Sequence, residues 1–147
     1  MKSFYAFFSV LVLLFSGCAK TPAPAQKVLP FDASGEFKSA LGVEYKVLKA
    51  GSGAPAEAAK RVSVWYEGRH VNNLELFDST RNNSTAVEFG LKQTIPGFAR
   101  GIRLMREGDI FLIKIPAALA YGERGSPPVI APGEDLYFTI ELVKVTN

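Results

Sequence analysis

The segment from Ile113 to Phe138, IKIPAALAYGERGSPPVIAPGEDLYF, constrains the fold more than any other part of this chain. One strand ends at Pro116, and an alternating apolar pattern resumes at Leu136. Between them the sequence is rich in glycine and proline, which change the backbone direction. The pattern predicts a long ordered loop between two core strands. Within the loop, the apolar ring and single hydroxyl of Tyr121 suit either an apolar pocket or a buried structural hydrogen bond.

The amino-terminal residues predict export. Lys2 precedes an apolar run from Phe4 to Phe15, which at about 12 residues is shorter than the roughly 20 that a membrane-spanning helix needs. This pattern is typical of a signal peptide, so residues 1–17 are expected to be removed. Cys18 is the only cysteine and therefore has no partner for an internal disulfide.

Cys18 directly follows the apolar run and the small pair Ser16-Gly17. This arrangement resembles the lipobox of bacterial lipoproteins, although Phe15 stands three residues before the cysteine where leucine is usual. The resemblance implies cleavage before Cys18 and its lipidation, and Ala19 resembles the pattern for outer-membrane delivery. The alternative is an ordinary signal peptide followed by an incidental cysteine.

Residues 18–41 are predicted to form a lipidated tether and an extension. Residues 19–27, AKTPAPAQK, are rich in proline and alanine and have little to bury. Residues 28–39 contain two aromatic residues, Phe31 and Phe37. Their sequence leaves open whether they drape over the domain or stay loose.

Charge gives little reason to expect a nucleic-acid partner. Without residues 1–17 the chain has 16 basic and 14 acidic residues, a net charge near +2. Arg100, Arg103 and Arg106 recur at three-residue spacing, which is typical of the solvated face of a helix. The single histidine, His70, has no cysteine or second histidine at metal-ligand spacing, so neither a metal site nor a Ser-His triad is expected. Glu134-Asp135 follow Pro132-Gly133 and are predicted to be solvated turn residues.

Residues 42–147 are predicted to form the folded domain. Alternating apolar patterns predict about five strands, and Asn72-Asn73 suit a hairpin turn because asparagine tolerates left-handed backbone angles. One short helix is predicted to begin around Ile95-Pro96 and to end at Gly108, with Phe98, Ile102 and Met105 forming one apolar stripe. The sequence therefore predicts the α+β class, with a curved antiparallel sheet wrapped over one short helix.

Five segments occur in an order and at spacings that resemble the FKBP family of peptidyl-prolyl cis/trans isomerases. They are Val64-Trp65-Tyr66-Glu67-Gly68, Phe77-Asp78-Ser79, Ile95-Pro96-Gly97-Phe98, Leu104-Met105 and Ala120-Tyr121-Gly122-Glu123-Arg124-Gly125. The resemblance covers roughly Gly42 to Val145. It implies an FKBP-like fold, isomerase activity on proline-containing polypeptides, binding of macrolide inhibitors and no cofactor or metal.

The reaction itself explains the residue types. An X–Pro bond isomerises slowly, over a barrier near 20 kcal/mol, because twisting the amide sacrifices its resonance. The twisted amide is less dipolar than the planar one, so a dry apolar pocket with one or two donors binds it preferentially. Such a site needs neither a nucleophile nor a metal ion.

The resemblance also assigns roles to particular residues. Tyr121 would donate to the carbonyl that flanks the proline, Asp78 would be the polar group at the edge, and Phe98 would form the floor. The remaining substrate-binding positions are Tyr66, Phe77, Phe89, Ile95, Val129, Ile130 and Phe138. Each of the apolar residues has simple core packing as its alternative role.

Four positions around the pocket depart from the family pattern, and Ser126 and Pro127-Pro128 alter the loop tip. Phe98 stands where tryptophan is frequent, Val87 replaces an aromatic residue, and Thr94 replaces an aliphatic one. Asn83 replaces an arginine found near the aspartate, and Arg81 is a candidate substitute. Together these changes suggest lower turnover or weaker macrolide binding.

The leading hypothesis is a membrane-tethered isomerase that assists folding of exported proteins. It is expected in the bacterial cell envelope, anchored by lipid to the outer membrane and facing the periplasm. The first alternative is a binding or chaperone module with little isomerase activity, and the second is a host-facing surface lipoprotein. The segment before Gly42 is too short for the dimerisation arm of related lipidated isomerases, so a monomer is expected.

Overall fold

Two layers make up the fold in the computed structural model, which describes residues 26–147: an antiparallel sheet and one α-helix packed on it. The expected signal peptide and lipidated Cys18 lie outside the described residues. The elements are β1 (Lys38–Ala40), β2 (Val43–Lys49), β3 (Arg61–His70), β4 (Leu76–Ser79), β5 (Val87–Gly90), α1 (Pro96–Arg103), β6 (Ile110–Ile115) and β7 (Leu136–Thr146). Among residues 26–147, no helix has the length and apolar character needed to cross a bilayer.

The predicted α+β class is confirmed, with seven strands rather than about five. The strand order is β1-β2-β6-β7-β3-β4, and β5 also pairs with β3. Strand β1 was not predicted, because a strand of three residues is too short to show an alternating pattern. On β3, Val62 and Val64 are fully buried on the face towards α1, which is called the inner face below. Glu67 lies on the opposite, outer face.

Two glycines allow α1 to pack directly against β6. A Cβ atom on Gly97 would collide with Ile115, and one on Gly101 would collide with Ile113. Both isoleucines are fully buried, so neither has free space into which it could move. The close approach of helix and sheet therefore depends on the absence of side chains at these two positions.

The helix ends earlier than the sequence predicted. The N–H groups of Leu104 and Met105 bond to the Gly101 and Ile102 carbonyls at 3.1 and 2.9 Å, tightening the last turn. The Arg106 N–H then donates to the Asp109 carboxylate at 2.6 Å and not to a carbonyl of the helix. The expectation that Gly108 stops the helix was wrong.

The β3–β4 turn also differs in detail from expectation. Leu74, and neither Asn72 nor Asn73, has the left-handed backbone, with φ of 61°. The Asn73 side chain instead accepts the Glu75 N–H at 3.0 Å and so fixes the turn from its side.

Residues 27–37, called the strap below, drape across the outer face of the sheet. Leu29 is buried at 4% exposure. The rings of Phe31 and Phe37 lie 5.7 and 6.2 Å from the ring of Tyr137, measured between centroids. The Lys46 ammonium binds the Asp32 carboxylate at 2.6 Å. The strap then continues directly into β1.

The glycine at position 101 gives a test of the helix packing. Alanine is the better helix former by about 1 kcal/mol, yet Gly101→Ala should lower the free energy of unfolding by about 1–3 kcal/mol because the methyl group overpacks against Ile113. Urea denaturation measures this change. The control is Arg103→Ala on the exposed side of the same helix, for which a change within about 0.5 kcal/mol is expected. A Gly101→Ala variant more stable than the wild type would contradict the packing argument.

Candidate active site

An open hollow of about 320 Å³ lies between the inner face of the sheet, the start of α1 and the loop that follows β6. Its lining residues are Tyr66, Asp78, Phe89, Gln93, Thr94, Ile95, Phe98, Tyr121 and Phe138. Phe98 and Tyr121, from elements that are far apart in sequence, thus border the same hollow.

The apolar part of the hollow is a cluster of aromatic rings. Phe98 projects from the first turn of α1, and its ring meets Tyr66 at 5.8 Å and Phe138 at 5.4 Å, both edge to face. Phe89 closes a third side at 6.2 Å from Phe98. Edge-to-face contacts are a favoured arrangement of aromatic pairs, so the cluster holds Phe98 in one orientation at the base of the hollow.

The polar edge consists of Tyr66 and Asp78. The Tyr66 hydroxyl donates to one carboxylate oxygen of Asp78 at 2.7 Å, and the Ser79 N–H donates to the other at 2.8 Å. Burial raises the pKa of Tyr66 well above its usual range, and the hydrogen bond to Asp78 raises it further. This tyrosine therefore keeps its proton and remains a hydrogen-bond donor. The prediction that Arg81 takes the place of the family's arginine beside Asp78 was wrong. The Arg81 guanidinium binds Glu67 on the outer face instead.

The opposite edge of the hollow carries Tyr121. It is 40% exposed, so it lines an open pocket rather than making a buried structural contact. The turn that presents it is fixed by the Gly122 N–H, which donates to the Ala117 carbonyl at 2.8 Å. Gly122 itself has φ of 61°, a left-handed angle that glycine adopts without strain.

Three of the sequence-predicted positions lie outside this hollow. Phe77 packs edge to face on Phe138 at 5.7 Å, behind the pocket wall. Ile130 is 3% exposed and belongs to the core, whereas Val129 is half exposed. Ile130 and Val129 border a separate cavity of about 430 Å³ next to His70. Conversely, Gln93 lines the hollow although nothing in its sequence context distinguishes it from an ordinary surface residue.

The prediction that Glu134 and Asp135 are solvated turn residues was wrong. His70 Nδ1 lies 2.5 Å from Glu134 Oε1, and the second carboxylate oxygen of Glu134 accepts the Ala131 N–H at 2.8 Å. The Asp135 carboxylate accepts the Ala117 N–H at 2.9 Å. Both acids fix the loop that carries Tyr121, which explains how a segment rich in glycine and proline holds a defined shape.

A larger cavity of about 720 Å³ lies elsewhere, between the end of α1 and the β1–β2 turn. Arg100, Arg103 and Arg106 border it. All three are exposed, as predicted, but Arg106 lies beyond the end of α1 and so is not on the helix face. None of its lining residues is aromatic. We therefore place the candidate site in the smaller aromatic hollow.

Comparison with known proteins identifies the family. The sequence profile of the FKBP-type peptidyl-prolyl cis-trans isomerases matches residues 53–143, more than half of the chain. The chain therefore belongs to this family.

Two curated relatives and one solved structure illustrate the similarity. The peptidyl-prolyl cis-trans isomerase Mip of Coxiella burnetii is 42% identical over 106 residues, which are 72% of this chain and 46% of that protein. The outer membrane protein MIP of Legionella longbeachae is 36% identical over 104 residues, covering 71% of this chain and 44% of that protein. The crystal structure of a peptidyl-prolyl cis-trans isomerase from Pseudomonas syringae superposes with a TM-score of 0.70 at 31% identity, covering 78% of this chain and 84% of that one. The chain thus spans less than half the length of these two curated relatives.

The buried carboxylate of Glu134 gives a test by pH. Burial works to raise its pKa, but the hydrogen bonds from Ala131 and His70 outweigh burial, so the pKa lies below its ordinary value. A lowered folded-state pKa stabilises the protein above the unfolded pKa, and this stabilisation is lost as pH falls through the folded value. Wild type should therefore lose stability on acidification below about pH 4 more steeply than Glu134→Gln.

Urea denaturation at a series of pH values measures these slopes. The control is Glu44→Gln, which removes an exposed carboxylate paired with Lys114 and should follow the wild-type profile. Parallel profiles for wild type and Glu134→Gln would contradict the assignment.

Proposed function

We propose that this chain is a peptidyl-prolyl cis/trans isomerase that acts on proline-containing polypeptides. The observation that carries the proposal is the aromatic hollow in which Phe98, Tyr66 and Phe138 share one space with the Tyr121 hydroxyl. Membership of the family and the similarity to the Mip isomerase of Coxiella burnetii support it.

Each residue has a physical role in this mechanism. The Phe98 ring lies beneath the proline ring of the substrate, while Tyr66 and Phe138 flank it and keep water away. The less dipolar twisted amide is then favoured over the planar one, which lowers the barrier. Tyr121 donates to the carbonyl that flanks the proline, and the backbone N–H of Ile95 binds the substrate chain at the rim. Isomerisation breaks no covalent bond of the substrate, so these residues need no cofactor.

Asp78 orients the Tyr66 hydroxyl and adds negative charge at the pocket edge, close to the amide being twisted. Phe77, Val129 and Ile130 act indirectly in this proposal. Phe77 supports Phe138 from behind, and the other two belong to the loop beside the separate cavity. The smaller ring of Phe98, compared with tryptophan, makes fewer contacts with the proline and with a macrolide inhibitor, so both turnover and inhibition are expected to be weak.

A protease-coupled assay on an X–Pro peptide tests the site. The wild type should accelerate isomerisation. Tyr121→Phe should lower kcat/KM about two- to fivefold, since it removes one exposed hydrogen bond worth about 0.5–1 kcal/mol. Asp78→Val should lower it about tenfold or more, because it leaves the half-buried Tyr66 without the acceptor of its hydroxyl and removes the negative charge at the pocket edge.

The matched control is Tyr45→Phe, because Tyr45 stacks on Phe111 away from the hollow. It removes the same hydroxyl and should leave kcat/KM unchanged. Unchanged rates for both Tyr121→Phe and Asp78→Val in an active protein would reject the assignment of the site.

A second candidate function is a binding or chaperone module with the same fold and little turnover. The observations that favour it are Phe98 at the floor and Thr94 at the rim, in place of the residues usual in the family. The same assay separates the two: activity at background level, together with measurable affinity for the peptide, would favour the module. Because macrolide inhibition of this hollow is expected to be weak, activity abolished by a low concentration of a macrolide would indicate a contaminating isomerase.

We further propose that the mature protein is a monomer, anchored in the bacterial cell envelope through lipid on Cys18. The outer membrane, on its periplasmic side, is the expected location, where the isomerase would assist the folding of exported proteins. The name of the Legionella longbeachae relative, outer membrane protein MIP, supports an envelope location. Several acyl chains on one cysteine would make the attachment stable, because each buried methylene contributes about 0.8 kcal/mol.

Substitution of the cysteine tests the anchor. Cys18→Ser should move the protein from the membrane fraction to the soluble periplasmic fraction of the expressing cells, because the acyl chains are lost. The control is Ser16→Ala, which keeps a small residue before the cysteine and should stay in the membrane fraction. A Cys18→Ser protein that still sediments with membranes would rule out this anchor.

A further inference from the structure

A buried carboxylate lies on the outer face of the sheet, behind the active-site pocket. Glu67 follows Tyr66 on β3 and is 1% exposed. The Arg81 guanidinium donates to its Oε1 at 2.9 Å, and the Arg69 guanidinium donates to its Oε2 at 3.0 Å. This arrangement is called the Glu67 cluster below.

The strap covers the Glu67 cluster and is bonded to it. The Leu29 N–H donates to Glu67 Oε1 at 3.2 Å, and the Lys27 N–H donates to the Arg81 carbonyl at 3.1 Å. Arg69 also lies over the Phe31 ring, 5.2 Å from its centroid. Arg81 is thus fixed at both ends, its side chain by Glu67 and its backbone by the strap.

A short chain of hydrogen bonds leads from Arg81 to the pocket edge. The Arg81 N–H donates to the Ser79 hydroxyl at 2.9 Å, and the Ser79 N–H donates to the Asp78 carboxylate at 2.8 Å. Three hydrogen bonds join Thr80 to the Tyr66 backbone. The Tyr66 N–H donates to the Thr80 hydroxyl at 2.9 Å, and the Thr80 N–H and hydroxyl donate to the Tyr66 carbonyl at 3.0 and 3.3 Å. Residues 78–81, called the aspartate turn below, are therefore fixed to β3 on both faces of the sheet.

Stability alone is a weak explanation for the Glu67 cluster. Removing a carboxylate from water carries a large desolvation cost, and apolar residues of similar volume are often as stabilising as a buried ion pair. A network with two fixed guanidinium groups, in contrast, holds the residues that it joins in one arrangement. The residues held in this way are those of the aspartate turn.

We propose that Glu67 and Arg81 are positioning residues of the isomerase site. From the outer face of the sheet they hold the aspartate turn so that the Asp78 carboxylate meets the Tyr66 hydroxyl, and the strap completes their enclosure. This inference rests on the proposed isomerase function.

A double-mutant cycle tests the proposal in the full chain. Arg81→Met keeps an apolar stem but removes the guanidinium, and should lower kcat/KM about three- to tenfold. Asp78→Asn removes the charge that Arg81 positions. If Arg81 acts through Asp78, adding Arg81→Met to Asp78→Asn should cause little further loss. Arg81→Lys should restore part of the rate, because its ammonium can reach one oxygen of Glu67.

The matched control is Asp32→Asn. It removes the carboxylate that binds Lys46 and so weakens the strap at a point away from the Glu67 cluster. Its kcat/KM should equal that of the wild type. Equal rates in this control separate an effect of the Glu67 cluster from a general loosening of the strap.

Amide hydrogen exchange gives a readout that needs no catalysis. Arg81→Met should speed exchange at Ser79, Thr80 and Arg81 while leaving the amides of β6 and β7 protected. Faster exchange throughout the sheet, or unchanged exchange in the aspartate turn, would overturn the proposal. So would additive losses in the double-mutant cycle.

The two proposals fail in distinguishable ways. A wild type with no isomerase activity would reject the proposed function, and the cycle would then be measured as the affinity of the same four proteins for an X–Pro peptide. Coupled losses of affinity and local exchange would support the positioning role, and additive losses would reject it. An active wild type with additive losses rejects the positioning role alone.

Discussion

The pocket depends on the close contact between α1 and β6. With Gly97 and Gly101 against two buried isoleucines, the first turn of the helix lies deep enough for Phe98 to reach the rings of the sheet. A helix carrying larger residues at those positions would stand further from the sheet and lift Phe98 out of contact with Tyr66 and Phe138. The apolar hollow is thus a consequence of backbone packing as well as of the aromatic residues that line it.

The two faces of the sheet carry different kinds of side chain near the pocket, apolar on the inner face and charged on the outer face. The inner face supplies rings, which in the proposed mechanism exclude water and favour a less dipolar amide. The outer face supplies the Glu67 cluster, which lies under the strap. This cluster does not line the pocket, but hydrogen bonds through the aspartate turn connect it to the pocket edge. Strand β3 joins the two, because Tyr66 and Glu67 are adjacent residues that point in opposite directions.

The sequence predicted the inner face better than the outer one. Alternating apolar residues locate strands such as β3 and β7. The spacing of Phe98 and Ile102 locates α1 with its apolar stripe inward, whereas Met105, the third residue of the predicted stripe, is buried beyond the end of the helix. The outer-face contacts are polar and join distant residues: Leu29 and Glu67 are 38 positions apart, and nothing local marks them as partners. For the same reason Glu134 looked like a solvated turn residue, since its partner His70 lies 64 positions away.

The position of β7 has a consequence for folding. This strand lies between β3 and β6, and at least 20 residues separate it from either neighbour in the chain. Without β7 the sheet would consist of two separate parts, β1-β2-β6 and β3-β4-β5, with no pairing between them. Joining the two parts requires contacts between residues far apart in sequence, and such contacts slow folding.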